Sequence, residues 1–300
     1  MNRVPPHITI CVCTYRRPAR LKRLLDELKV LETGGKFTFS VVVADNDSSR
    51  SAEGVVAAHT ANTACPVLYG NEPQQNIALA RNAALALATG DYIAFLDDDE
   101  LPSRKWLLLL LEACEKYAAD GVLGPVCSRY EIEPPTWVRR SGLYNRPRHA
   151  TGFTLSWREC RTGNALIQRS ILAAMPAPFR SEFGTGGEDQ DFFRRLMALG
   201  HRFVWCDEAV VYESVPPSRW RIPVLLRRAL LRGRNTWRHE DQRAFGLSKS
   251  VVAIPLYALA LPFSALAGRH VFVRYLIKTC DHLGKVMAAM RLNPVRKRDA

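Results

Sequence analysis

A chain of 300 residues that is 47% hydrophobic buries a full core, which excludes an intrinsically disordered segment. Its formal charge of +13 calls for anionic partners, and nucleotide phosphates, an acidic membrane surface and nucleic acid all answer that description. Eight cysteines form no CxxC pair and the first strand follows Met1 without an apolar leader, so the expectation is a cytoplasmic protein with reduced thiols and no secretory signal.

Residues 7–14, rich in Ile, Val and Cys, suit a strand buried on both faces, with Cys11 and Cys13 on one of them. Pro18 fits a first helical position, and Leu21, Leu24, Leu25 and Leu28 then share one helical face. A second strand, 39–44, runs into Asp45-Asn46-Asp47-Ser48-Ser49, and the strand-helix-strand order brings that loop beside the one at Thr14. A helix over 52–60, a short strand over 67–69 and an Ala- and Leu-rich helix over 76–88 with Arg81 and Asn82 follow.

Gly90 ends that helix, and an apolar strand over 92–96 delivers Asp97, Asp98, Asp99 and Glu100 to the edge where a parallel sheet opens its ligand crevice. Adjacent like charges are tolerable there mainly when a cation or donor groups face them, which points to a metal-diphosphate site. The structural alternative is a single Asp capping the helix that begins near Pro102. Residues 106–111 are apolar all round and read as a buried helix, 122–126 as a strand, and 134–149 as an irregular loop over the site. Thr162-Gly163-Asn164 precedes a strand over 165–167, where Gly163 either admits a sugar closely or makes an ordinary turn. Gly184, Gly186 and Gly187 form a pliable loop before a helix whose first turn carries Glu188, Asp189 and Asp191, acids that the helix dipole favours in any case.

Beyond Pro217 the composition changes. Arg219, Arg221, Arg227, Arg228, Arg232 and Arg234 interleave with Leu and Trp, a pattern suited to clamping a donor or lipid diphosphate and to meeting anionic headgroups; a plain solvated basic helix is the alternative. Residues 251–267 are uncharged but interrupted by Pro255 and Pro262, and fall just short of the roughly 20 residues that span a bilayer, so a re-entrant or interfacial hairpin is expected. Residues 269–290 read as an amphipathic helix in the interface plane, ahead of basic Arg296-Lys297-Arg298. The division expected is 1–218 for a catalytic α/β domain and 219–300 for a membrane-associating region.

Thr14-Tyr15-Arg16-Arg17, Val43-Ala44-Asp45-Asn46, Asn76 through Arg81-Asn82, Gly90 through Asp99, Thr162-Gly163-Asn164 and Gly186 through Asp191 together resemble the ordered motifs of the family 2 glycosyltransferases over about residues 7–219. The resemblance implies a GT-A fold, a mostly parallel Rossmann-like sheet flanked by helices, a nucleotide-sugar donor (a UDP-sugar favoured), Mg2+ or Mn2+, and inversion at the anomeric carbon. It implies that Asp45, with Thr14 and Arg81, binds the nucleotide, that Asp97 and Asp98 face the ribose or donor sugar, and that Asp99 holds the metal. Asp189 becomes the base and Glu188 an acceptor-orienting group, two roles that sequence does not separate. Two positions depart from the family: Ala78 stands where Gly is common, and Glu213 where many relatives place a His, so that Glu213 is either a further metal ligand or a residue that simply faces the solvent. The acceptor implied is a lipid-linked saccharide at the cytoplasmic face of a membrane, in cell-surface glycan assembly. A noncatalytic membrane-tethered sugar-nucleotide binder is the alternative, opposed by Asp97, Asp99 and Asp189; nucleic acid is not expected, because the arginines concentrate beside an apolar run instead of interleaving with exposed aromatic stacking positions.

Overall fold

The computed structural model describes residues 4–61, 65–238 and 243–292. The first half is β1 (His7–Thr14), α1 (Pro18–Leu28), β2 (Thr38–Asp45), α2 (Glu53–Thr60), β3 (Val67–Asn71), α3 (Ile77–Leu87), β4 (Tyr92–Asp97), β5 (Glu100–Pro102) and α4 (Trp106–Lys116). Then come β6 (Gly121–Leu123), β7 (Val126–Tyr130), α5 (Thr136–Ser141), β8 (Asn164–Gln168), α6 (Glu188–Ala198), β9 (Phe203–Trp205), β10 (Val211–Val215), α7 (Ile222–Arg238), α8 (Arg243–Leu266) and α9 (Arg269–Ala289).

Seven strands form one sheet in the order β3-β2-β1-β4-β8-β6-β9, parallel except for β8, which runs against both β4 and β6. Side-chain alternation along the strands supplies two cores. Ile8, Ile10 and Val12 of β1 and Ala94 and Leu96 of β4 pack under α1 and α4, whereas Cys11 of β1 and Ile93 and Phe95 of β4 pack with α3 and α6 on the other face. The leucines predicted to share a face of α1 are all buried. Asn76 caps α3 by accepting from the Ala78 and Leu79 amides at 3.0 and 3.3 Å, and Ala78 itself is core. All eight cysteines are free thiols.

A smaller sheet, β5-β10-β7, rises over the carboxyl ends of the central strands. It corrects the single strand expected over 122–126: Gly124 and Pro125 break the run, leaving β6 in the main sheet and β7 in the small one. The loop over 134–149 is likewise partly ordered, as α5.

The carboxyl-terminal helices correct two further expectations. Pro255 and Pro262 do not turn the chain into a hairpin; α8 runs continuously through both. They are seven residues apart and so fall on one face, and that face is exposed, as are Val251 and Ala258, the residues whose helical carbonyl partners the prolines remove. Exposure lets solvent take the freed carbonyls. Helix α9, expected on a surface, packs against both α7 and α8 and buries Val273 and Ile277. The apolar exposed stripe belongs instead to α8, through Leu256, Leu259, Phe263 and Leu266. Arg296-Lys297-Arg298 lies outside the described residues.

Candidate active site

The carboxyl ends of β1 and β4, the small sheet and the loop before α6 enclose a cavity of about 900 Å3. Its floor is the acidic run. Thr14 Oγ1 donates to Asp98 Oδ2 at 2.8 Å, and Arg17 Nη1 approaches Asp98 Oδ1 at 3.2 Å. Burial holds the Asp98 carboxyl up, at about 6, against the pull of Arg17 and with Asp99 adding to the rise. Asp97 is the most open of the three, its side chain 46% exposed, and Arg81 Nη2 stands 3.5 Å from it.

Asp99 is nearly buried and faces three guanidiniums: Arg219 Nη2 at 2.5 Å, Arg20 at 3.2 Å and Arg17 at 3.6 Å. The other arm of Arg219 donates to Glu213 Oε1, and Arg146 donates to Glu213 Oε2. The two residues expected to bind metal are therefore brought together, from the β4–β5 turn and from β10, on one bridging guanidinium.

Glu100, opposite Glu213 across the β5–β10 pairing, is buried, and Oε2 accepts from the Asp97 amide at 3.1 Å. Burial, reinforced by the charges of Asp97 and Asp99, pushes its carboxyl well up. Gly163 gives way to this side chain: a Cβ there would lie 2.5 Å from Glu100 Oε1. Gly163 also lines the cavity. Asn164 is structural, since Oδ1 accepts from Trp106 Nε1 at 2.7 Å and Nδ2 donates to the carbonyls of Pro125 and Ala209 at 3.1 and 2.7 Å.

Three other residues expected in the site stand off the cavity wall. Asp45 is fully buried and turned into its own loop, accepting from the amides of Asp47 at 3.1 Å and Ala52 at 2.7 Å and from the Tyr69 hydroxyl at 3.1 Å. Its neighbour Asn46 lines the cavity. Glu188 is buried against Arg81, which donates to it through Nη1. Asp189 is less buried, and the nearest cavity-lining cation is Arg161, whose Nε is 3.8 Å from Asp189 Oδ2. Positive φ at Gly186 and Gly187, 122° and 92°, lets the chain turn sharply enough to place both acids in the first turn of α6.

The family model described as Glycosyl transferase family 2 matches residues 9–175. This chain belongs to that family. The succinoglycan biosynthesis protein ExoM of Rhizobium meliloti (strain 1021) is 38% identical over 248 residues, 81% of this chain and 78% of the relative. Among solved structures, the mannosyltransferase PcManGT from Pyrobaculum calidifontis, in complex with GDP-Man and Mn2+, is similar with a TM-score of 0.63 at 19% identity, over 96% of this chain and 87% of that one. S. aureus TarS 1-349 in complex with UDP-GlcNAc is similar with a TM-score of 0.57 at 15% identity, over 96% and 93% of the two chains. These likenesses bear out the GT-A fold, and the family makes this chain a glycosyltransferase.

Some wall residues of this glycosyltransferase escaped sequence reading, and others were foreseen. Arg158 and Arg161 line the cavity from the segment before Gly163, where no pattern singles them out among the many arginines. Arg146 and His149 fall within the loop expected over the site. Arg219 and Arg228, assigned from sequence to the region beyond 218, also line the cavity, so the expected boundary at 218 runs through the site. A divalent ion suits the donor set. Among the described residues no three His, Cys, Asp or Glu converge, but Mg2+ or Mn2+ commonly takes one or two carboxylates and completes its shell with substrate phosphate oxygens and water. Asp99 and Glu213 are two such hard ligands already converging on one positive group.

Proposed function

We propose that this glycosyltransferase moves a sugar, with inversion, from a nucleotide-sugar donor to a lipid-linked saccharide during cell-surface polysaccharide assembly, working at the cytoplasmic face of a membrane. One observation carries the reading: a single cavity holds the Asp97–Asp99 edge and a wall of guanidiniums that includes Arg17, Arg146, Arg219 and Arg228. Such a wall suits a leaving diphosphate. The donors named for PcManGT and TarS, GDP-Man and UDP-GlcNAc, and the pathway named for ExoM support the substrate class. A UDP-sugar is the donor favoured.

Asp189 accepts the proton of the acceptor hydroxyl as its oxygen bonds to the anomeric carbon, and the bond from that carbon to the diphosphate breaks with its electron pair on the diphosphate. Displacement from the face opposite the leaving group inverts the centre. Thr14 and Arg81 hold the nucleotide side, Asp45 shapes its loop, and Asp97 and Asp98 face the ribose and sugar. Asp99 and Glu213 would hold Mg2+ or Mn2+, which supplies positive charge for the departing diphosphate. Glu188 keeps Arg81 in place.

Membrane contact falls to α8. Its 246–266 stretch is long and apolar enough to cross a bilayer, yet one face is packed on α9, which carries Arg274, Lys278, Asp281 and Lys285. Carrying those charges inward is costly, which favours peripheral docking of the exposed stripe.

The test is a panel of nucleotide sugars offered to the full chain with Mn2+, anionic vesicles and lipid-linked acceptors. Turnover of one donor that is abolished in Asp99→Asn and Asp189→Asn supports the reading. Binding of a nucleotide sugar without turnover of any donor would favour the noncatalytic binder.

A further inference from the structure

Arg219 sits in the short turn Pro217–Trp220, and its backbone is pinned on both sides. Trp220 is buried with Val138 and Val215, and the Tyr144 hydroxyl donates to the Arg219 carbonyl at 2.9 Å. The side chain projects from this fixed base into the cavity, where one guanidinium donates to Asp99 and to Glu213 at once. A planar fork can satisfy two carboxylates in this way, whereas an ammonium is a point charge. Glu213 stands in β10 opposite Glu100, and its carboxylate and that of Asp99 are the two that meet on this one guanidinium.

We propose that Arg219 is an exchangeable counter-charge: it competes with a divalent cation for the Asp99–Glu213 pair and, when displaced, turns its guanidinium to the donor diphosphate. This rests on the nucleotide-sugar reading above. The exchange conserves charge. A divalent ion replaces a single positive charge on the two carboxylates, and the released guanidinium finds its new acceptor in the phosphates that arrive with the same ion. Metal and nucleotide diphosphate therefore bind with positive coupling, because each removes the other's cost, and linkage makes that coupling reciprocal. Arg219 and its two carboxylates line the same cavity, so the displaced guanidinium stays within it. The arginine also ties the donor to the turn that opens α7, the helix whose Arg234 and Asn235 hold Thr185 in the loop before Glu188.

The experiment titrates the full chain with Mn2+, followed by electron paramagnetic resonance and calorimetry, alone and with UDP or GDP. Arg219→Met keeps the bulk and removes the competitor. It should bind Mn2+ alone at least tenfold more tightly than wild type, and lose at least tenfold in the Mn2+-dependent affinity for the nucleoside diphosphate. Arg219→Lys, which retains charge but cannot fork, should shift both affinities in the same directions by less; it serves also if the Met variant does not fold. Unchanged or weaker Mn2+ binding by these variants, with wild type still binding Mn2+ and UDP or GDP together, would overturn the exchange and leave the donor reading intact. Wild type that binds neither nucleotide with Mn2+ would overturn both.

Discussion

Arg81 in α3, which lines the cavity, and Glu188 at the start of α6 are 107 residues apart in sequence and form a buried ion pair behind the cavity wall. The guanidinium also faces Asp97 at 3.5 Å and lies over the Phe179 ring at 5.6 Å, so one side chain ties the acidic edge of β4 to the start of α6. Removing one member of a buried pair strands the other charge. Arg81→Ala should cost about 3–5 kcal/mol in urea unfolding, and Arg81→Met combined with Glu188→Leu should recover much of it without restoring transfer. A loss below about 1 kcal/mol in the single variant would mean that the pair does not hold α6 in place.

In the proposed mechanism the two acids do different work. Glu188 is occupied by Arg81, while Asp189 lies nearer the surface with Arg161 as its neighbour. Asp189→Asn should lower kcat by roughly 10²–10⁴ with little change in KM or unfolding free energy, as expected for a group acting in the transition state. Glu188→Gln should instead lower stability. If steady-state kinetics of Asp189→Asn keep more than a tenth of wild-type kcat, the base lies elsewhere.

Much of this arrangement was legible. Strands β1, β2 and β4 and helices α1 and α3 announce themselves through apolar periodicity, and the acids at 97–100 and 188–191 sit where strand and helix ends were expected. What sequence hid has physical reasons. β5 and β9 are three residues long, too short for a period to register. Pro255 and Pro262 read as breakers because the exposure that makes them tolerable is a tertiary fact. Asp45 ends its strand as foreseen, but only the neighbouring loop reveals that its carboxylate is consumed by Asp47, Ala52 and Tyr69.

Gly163 carries a steric prediction. A methyl group there would meet Glu100 Oε1 at 2.5 Å, and the carboxyl has little room to retreat because Oε2 is bonded to the Asp97 amide. Gly163→Ala should lose about 1–3 kcal/mol of stability, in line with overpacking, and raise the donor KM as the Asp97 loop shifts. Adding Glu100→Ala removes the obstructing carboxyl, so the double variant should be less destabilised than the sum of the singles. Additive losses in a double-mutant cycle would place the strain elsewhere.

Asn164 follows Gly163 at the cavity wall, and its side chain is bonded to Trp106, Pro125 and Ala209. Asn164→Ala takes the partner from a buried indole N–H and from the Ala209 carbonyl, while the Pro125 carbonyl keeps the Val211 amide at 3.1 Å; the cost is about 1–3 kcal/mol for each group left unsatisfied. Thermal unfolding should move down by many degrees while the donor KM of the protein still folded stays near wild type. A selective rise in KM at unchanged stability would instead make Asn164 a substrate contact.

The last prediction concerns α8. Leu256, Leu259, Phe263 and Leu266 are 61%, 70%, 73% and 88% exposed, and their spacing of three and four residues makes one continuous stripe. Ser250 bonds His282 of α9 at 3.0 Å and Lys278 lies over the Tyr257 ring at 5.7 Å, so α8 is fastened to a charged neighbour along its opposite face. Each fully buried large apolar side chain contributes about 1.5–3 kcal/mol, and lipid contact that covers only part of one contributes proportionately less. Leu259→Glu with Phe263→Glu should therefore weaken cosedimentation with anionic vesicles by more than tenfold while leaving transfer to a water-soluble acceptor unchanged. Undiminished vesicle binding by this variant would sink the docking role of α8 and turn attention to the basic residues of α7.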